Sequence, residues 1–452
     1  MARFSFVLVA LALAFACALA APEKVYRRVV VVGDLHGDLK QALRVLLATD
    51  LITLQPNYYQ ELEEEASNHE GHNHDQMNKN MVYNKRAGIM LGSDADMYHW
   101  CAGNTLLVMT GDAMNVGPDD LAIVRLVMRL HVEAAAAGGH LEFTFGNHEM
   151  RNLQGDFDGV HPWSFEQSGG EHGRKFLLSM ETDMGAFLRT RKSVFRYHHW
   201  IFMHGGMMPT TIKAIKSIEG KFDPETFVDV LNEAVTAKLT GNKHITKEQE
   251  KLAKIVTDVD YDSNGEVSPL LIHPLEMCDG VAETMKLFNG VITAQIVGHT
   301  PHDLPKFVFC EGQLFAIDFG LSRWKTGVGA AVSGLILMPH REMAQERNED
   351  VPSYTNEKTL GKGWSANLVI ATEEDFPQFL SGTFAKYKTD AKLYMIGCIV
   401  LLVIIALLLV IIWHLQSHTM ARSAAAANGD AEAQQMVSKD RKKPDYGSTT
   451  RT

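Results

Sequence analysis

The amino-acid sequence predicts an α/β sandwich with one further helix, near the C-terminus, that crosses a membrane. Three observations carry this expectation. Short, unbroken apolar runs stop abruptly at glycine or a polar residue, as buried strands do. Leucine and alanine recur at helical spacing between some of these runs, and strand–loop–helix alternation builds a layered α/β fold. A single apolar run near the end is about 20 residues long, enough to span hydrocarbon as a helix.

The strands come first. Val29–Val32 precede Gly33, Leu106–Met109 precede Thr110-Gly111, and Phe143–Phe145 precede Gly146. Ile201–Met203 precede His204, Ala294–Val297 precede Gly298, and Leu314–Ile317 precede Asp318. Leu39, Ala42, Leu43, Leu46 and Leu47 repeat at helical spacing after the first run, and Leu121 to Val132 do so after the second. Functional residues are then expected in loops at the carboxyl ends of strands. These signals span residues 25–338 and leave an insertion at 55–98. The insertion holds Glu61–Glu65 and then His69, His72, His74 and Asp75, which reads as a solvated surface loop. Residues 339–392 read as a stem, although Trp364 to Thr372 retain the look of a segment that packs on the domain.

Composition narrows the function. The chain has 452 residues, 46% hydrophobic and 21% charged, which is the globular range. A net charge of −11 excludes a general nucleic-acid binder, which needs a basic face. Met1–Ala20 place one Arg before an apolar run that closes in Ala18-Leu19-Ala20, the pattern of a cleaved signal peptide. Leu393–Trp413 form the apolar span, with Tyr394 and Trp413 at its edges where amphipathic rings prefer the headgroup level. Lys386, Lys388 and Lys392 before the span point the N-terminal side to the cytosol; the signal peptide points it the other way and takes precedence for a long domain. The expectation is a single-pass type I membrane protein of the secretory pathway or cell surface. Its catalytic part is then lumenal or extracellular, and residues 414–452 form a cytoplasmic tail. With Cys17 in the signal and Cys398 in the span, Cys101, Cys278 and Cys310 allow one disulfide and leave an odd thiol.

The chemistry lies at the strand ends. In order they read Gly33-Asp34-Leu35-His36-Gly37-Asp38, Gly111-Asp112, Gly146-Asn147-His148-Glu149, His204-Gly205-Gly206 and Gly298-His299-Thr300. Glycine permits tight turns and close backbone approach. Carboxylates, imidazoles and an amide oxygen suit divalent ions, and two ions sharing a carboxylate can clamp an in-line displacement. Any one piece is weak; five in this order are specific.

The series GDLHG, GD, GNHE, HGG and GHT resembles the calcineurin-like metallophosphoesterases of the phosphoprotein phosphatase branch. Gly146–Phe157 and Ile317–Ser322 look like the Shewanella-like protein phosphatases. The resemblance covers roughly residues 25–322 and implies a central β-sandwich flanked by helices, with a dinuclear site holding manganese, iron or zinc. It implies Asp34 and His36 at the first metal, Asp112 bridging both, and Asn147, His204 and His299 completing the second. His148 would be the general acid, and the nucleophile a metal-activated water. The implied substrate is a phosphomonoester, either a phosphoprotein or a small molecule.

Departures bear on that expectation. The phosphatase pattern G-D-x-x-D-R-G reads here Gly111-Asp112-Ala113-Met114-Asn115-Val116-Gly117. Asn115 stands for the Asp that orients His148, and Val116 for a phosphate-binding Arg. His273 falls where a second such Arg is expected. Arg151, Arg174 or Arg323 are the candidates to replace them, with Arg151 and His273 the candidate substrate contacts. Weaker oxyanion binding keeps two alternatives open, a phosphodiesterase acting on nucleotide or lipid headgroups and a catalytically weakened membrane-anchored binding module. Asp260–Gly265 imitate the start of a calcium loop, but Leu271 occupies position twelve, so an acidic turn is expected. His302 lies one residue too far for a G-H-x-H ligand and is read as lying outside the ligand set.

Overall fold

The structure is a computed structural model and describes residues 24–54, 94–326, 332–339, 357–359 and 364–371. The proposed signal peptide, most of the 55–98 insertion, the membrane span and the tail lie outside these residues. Among the described residues no helix is long and apolar enough to cross a membrane.

Thirteen strands are described: β1 (Arg28–Val32), β2 (Ile52–Leu54), β3 (Tyr98–Trp100), β4 (Thr105–Met109), β5 (His140–Phe143), β6 (Val194–Tyr197) and β7 (Trp200–Met203), then β8 (Ala294–Val297), β9 (Val308–Phe309), β10 (Leu314–Ala316), β11 (Val332–Pro339), β12 (Glu357–Thr359) and β13 (Trp364–Ala371). They form a six-stranded sheet, ordered β12-β13-β11-β1-β4-β5, and a five-stranded sheet, ordered β6-β7-β8-β10-β9. The pair β2–β3 stands apart and is antiparallel.

Alternation explains how the sheets meet. Successive side chains of a strand point to opposite faces. Val29 and Val31 of β1, Leu106 and Val108 of β4, and Leu335 and Leu337 of β11 all enter one buried cluster. Facing them from the second sheet are Phe195, Phe202, Ile296 and Phe315. All five residues of β1 are buried, because the helices Leu39–Ala48 and Asp120–Ala136 cover the other face of the first sheet. The fold is therefore a β-sandwich with helices outside, as the sequence indicated.

The sheet extends past the expected boundary at residue 338. β13 pairs antiparallel with β11 from Val332↔Ala371 to Pro339↔Trp364, and β12 pairs with β13. Part of the segment read as a stem thus belongs to the sandwich. Trp364 explains the placement: it is buried and meets Trp200 edge-on with ring centroids 5.1 Å apart, which ties the first sheet to the second.

The topology fixes where the chemistry can sit. β1, β4 and β5 run parallel, as do β7, β8 and β10. Their carboxyl ends, and the loops that follow them, therefore gather along one edge of the sandwich. Two of these loops touch at Gly146, where a Cβ would overlap the Asp112 carboxylate and backbone nitrogen. Gly146→Ala is expected to lower Tm by several degrees and to dislodge Asp112, since overpacking a rigid site costs about 1–3 kcal/mol. An unchanged thermal unfolding curve would contradict this.

Candidate metal centre

Each expected ligand stands just past a strand end. Asp34 and His36 follow β1, Asp112 follows β4, and Asn147 and His148 open the helix Asn147–Gln154 after β5. His204 follows β7 and His299 follows β8. The turns are tight enough that His36, Asp112 and His299 all adopt left-handed backbone, with φ of 40°, 51° and 63°.

Among the described residues, two groups of potential ligands have donor atoms within 4.8 Å of one another: His36, Asp112 and His148, and Asp112, His204 and His299. Asp112 belongs to both. Its Oδ2 lies 3.3 Å from His204 Nε2, 3.8 Å from His36 Nε2 and 3.8 Å from His148 Nε2. Asp34 joins the first group, with Oδ2 3.9 Å from His36 Nε2, and accepts from the His299 backbone N–H at 3.1 Å.

The donors fit a cation. His204 Nδ1 is 2.9 Å from the Thr110 carbonyl, which only accepts, so Nδ1 carries the hydrogen. The lone pair on Nε2 then faces Asn147 Oδ1 at 3.0 Å, His299 Nδ1 at 3.0 Å and Asp112 Oδ2. Turned over, the Asn147 amide would donate to Asp112 and to His204 instead. With its oxygen inward, acceptor faces acceptor, an arrangement that calls for a positive charge between them. Without a metal the charge comes from a proton: burial alone would lower His204, but Asp112 and Asp34 hold it up at about 9.

The neighbouring groups follow the same logic. Burial drives His36 down to about 3, so it is neutral and offers its Nε2 lone pair. Burial and the nearby Asp318 carboxylate push Asp34 well above the usual carboxylate range. Burial would also raise Asp112, but the His204 and His148 rings keep it well below. Asp318 is buried, and its Oδ2 has no hydrogen-bond partner.

Several residues here were missed by sequence reasoning. Glu149 accepts three backbone N–H groups, from Asp112 at 2.8 Å, Met114 at 2.9 Å and Gly146 at 2.8 Å, and so clamps the β4 loop to the following helix. Lys325, in the short helix Arg323–Thr326, brings Nζ to 2.8 Å from His36 Nε2. Tyr261 opens the short helix Tyr261–Asn264, whose first turn Asp260 caps, so the calcium-loop imitation is an acidic turn. The Tyr261 hydroxyl lies 2.9 Å from His299 Nε2, which leaves Nδ1 of that ring for the cluster.

The candidate phosphate arginines divide. Arg174 is fully buried against Asp120, with Nη2–Oδ2 2.6 Å, and Arg323 is buried against Asp38, with Nη2–Oδ1 2.6 Å. Neither faces the cluster as a clamp. Arg151 lines a groove of about 500 Å³ beside the site, where Asp156 holds it at 2.6 Å. His273 stacks on His299, ring centroids 4.4 Å apart, and meets Thr300 Oγ1 through Nδ1 at 3.0 Å. His302 is outside both ligand groups and packs its ring on Phe319.

The family described as calcineurin-like phosphoesterase matches residues 27–303. The chain belongs to this family. It is a metal-dependent phosphoesterase, a hydrolase, and the cluster at the sandwich edge is its candidate metal-binding site. Among curated relatives, an uncharacterized protein of Schizosaccharomyces pombe is 26% identical over 65% of this chain and 73% of its own length. Shewanella-like protein phosphatase 2 of Arabidopsis thaliana is 36% identical over 29% of this chain and only 22% of its own length. Among solved structures, a cold-active protein tyrosine phosphatase aligns at a TM-score of 0.46 and 19% identity, covering 69% of this chain and 74% of that one.

Proposed function

We propose that this phosphoesterase hydrolyses phosphomonoesters at a dinuclear centre, with His148 protonating the leaving oxygen. The observation that carries the reading is the position of Asp112 Oδ2, one carboxylate oxygen shared between His204 and His36. Asp34 and His36 would hold one ion, Asn147, His204 and His299 the other, and Asp112 both. Divalent ions there supply charge neutralisation at the phosphoryl oxygens and activation of the attacking water. Manganese, or iron with zinc, suits such mixed oxygen and nitrogen donors.

Among the described residues, Lys325 brings a cation to the cluster. With His36 Nε2 engaged by an ion, its ammonium can turn on a flexible stem toward the phosphate oxygens. It thereby stands in for the guanidinium that Val116 and His273 do not provide. A dianionic monoester gains more from this charge than a diester does, which favours phosphatase over phosphodiesterase activity. The groove beside Arg151 also carries Asp156, Asp258, Asp260 and Asp262, a setting that suits a phosphopeptide with basic flanks. We place the catalytic unit outside the cytosol. The Cys278–Cys310 disulfide supports this, because such bonds persist in oxidising compartments.

The full chain, supplied with manganese or with iron and zinc, is expected to turn over an aryl phosphomonoester and phosphopeptides, and a diester far more slowly. Lys325→Ala should lower kcat/KM for the monoester about 10- to 100-fold, the worth of a charge-assisted hydrogen bond of about 1.5–3 kcal/mol. It should leave the diester nearly unchanged. Preference for the diester, or equal loss on both, would sink the monoester reading.

A further inference from the structure

We infer that a buried hydrogen-bond relay, Arg174–Asn152–Asn115, fixes the tautomer of His148, placing its hydrogen on Nε2 and its lone pair on Nδ1. The inference rests on the reading of His148 as the residue that faces the leaving oxygen and adds which ring atom carries the hydrogen that does so.

The direction of the relay follows from what each group can do. A guanidinium only donates. Arg174 Nε lies 2.8 Å from Asn152 Oδ1, so that end of the Asn152 amide is the oxygen. Asn152 Nδ2 then donates to the His148 carbonyl at 2.8 Å and to Asn115 Oδ1 at 2.7 Å. Asn115 is thereby turned with Nδ2 outward, where it donates to the Asp158 carbonyl at 3.2 Å and meets His148 Nδ1 at 2.9 Å. An N–H arriving at Nδ1 requires a lone pair there, so the ring hydrogen sits on Nε2.

Arg174 is itself held. Its Nη2 pairs with Asp120 Oδ2 and its Nη1 donates to Ser164 Oγ at 2.9 Å, and its side chain is fully buried. The relay therefore starts from a fixed donor and ends on the imidazole, with every amide oriented by its neighbour. Arg174, Asn152 and Asn115 are positioning residues and touch no reacting atom.

Two consequences follow. Nε2 points toward Asp112 Oδ2, so its hydrogen faces the cluster where a leaving oxygen departs. A ring with hydrogen on Nε2 cannot bind a metal through that atom. Coordination would move the hydrogen to Nδ1 and set it against the Asn115 N–H. Although His148 lies near enough to His36 and Asp112 to be a ligand, the relay turns its Nε2–H toward the cluster as a hydrogen-bond donor; giving up that proton requires the imidazolium, which forms once Asn115 presents its oxygen to Nδ1. An Asp in place of Asn115 accepts only, and would call for the opposite tautomer.

The test is two-bond nitrogen–hydrogen correlation NMR on the full chain labelled at histidine nitrogen, with His148→Gln identifying the ring's signals. Wild type should show hydrogen on Nε2 of His148. Asn115→Asp should place it on Nδ1. Asn152→Asp touches neither ring nor substrate, and its second oxygen should draw the Asn115 amide around and shift hydrogen to Nδ1. A wild-type ring with hydrogen on Nδ1 overturns the proposal, as does a tautomer that ignores Asn152→Asp in a folded protein. Should that variant fail to fold, the wild-type and Asn115→Asp spectra still decide the direction of the last link. None of these readouts requires turnover, so a failure of the phosphatase reading leaves the result intact.

Discussion

Asp112→Asn should abolish turnover and, with it, stoichiometric metal binding. The change removes one charge and almost no volume. The amide oxygen can still accept the His148 backbone N–H, now bonded to Asp112 Oδ1 at 3.1 Å, so the helix start is retained. The loss is the shared anion. Oδ2 is the atom within reach of both His204 and His36, and a neutral amide cannot offset two cations drawn into one buried edge. Losing an electrostatic anchor of this kind costs about three orders of magnitude in kcat where a single oxyanion donor costs 10²–10³. Metal analysis of the purified variant should find fewer ions per chain than in wild type. A variant that keeps full metal content and more than about a tenth of kcat would show that Asp112 does not bridge.

His148→Gln should separate proton donation from metal binding. Removing a general acid costs about 10²–10⁴ in rate when the leaving group needs a proton. The loss is expected to be near that range for a phosphoserine peptide, whose alkoxide leaves poorly. For a nitrophenyl phosphate, whose phenolate leaves unaided, it should shrink toward unity. Metal content should stay at the wild-type level. Equal losses on both substrates, together with a missing ion, would instead make His148 a ligand. The comparison of leaving groups is informative because the residue change is the same in both arms and only the need for a proton differs.

The strand ends were more legible in the sequence than what surrounds them, and the reason is geometric. Parallel strands buried on both faces are continuous apolar runs, so their ends, and the polar residues just past them, can be read directly. Asp34, His36, Asp112, Asn147, His148, His204 and His299 all lie within five residues of such an end. Lys325 carries no such signal. It reaches His36 only because the chain turns back after β10 into a four-residue helix, and nothing in the local pattern announces that return. The arginines misled for the opposite reason. A cation near a motif looks like a phosphate contact until its burial against a carboxylate is seen, as with Arg174 on Asp120 and Arg323 on Asp38. The stem was assigned too early because residues between β11 and β13 lack strand signals, while β13 itself is apolar and pairs along its whole length. One disulfide was allowed by three cysteines; its pairing needed the fold, which among the described residues leaves Cys101 free and exposed.

The left-handed backbone at His36, Asp112 and His299 has a consequence for how this protein can evolve. Asn115 and Val116, in the same turn as Asp112, share that conformation, with φ of 66° and 65°. Such geometry costs a side-chain-bearing residue on the order of 1–3 kcal/mol, and a β-branched residue such as Val116 tolerates it least. Among the described residues, three of the ten side-chain-bearing positions with this backbone are expected ligands, and two more share the Asp112 turn. Selection for heat resistance alone would find its easiest gains by relaxing these turns, for example toward glycine, and several of those gains would delete a ligand. Stabilising changes that spare these turns are expected instead in the two sheets and the helices that cover them.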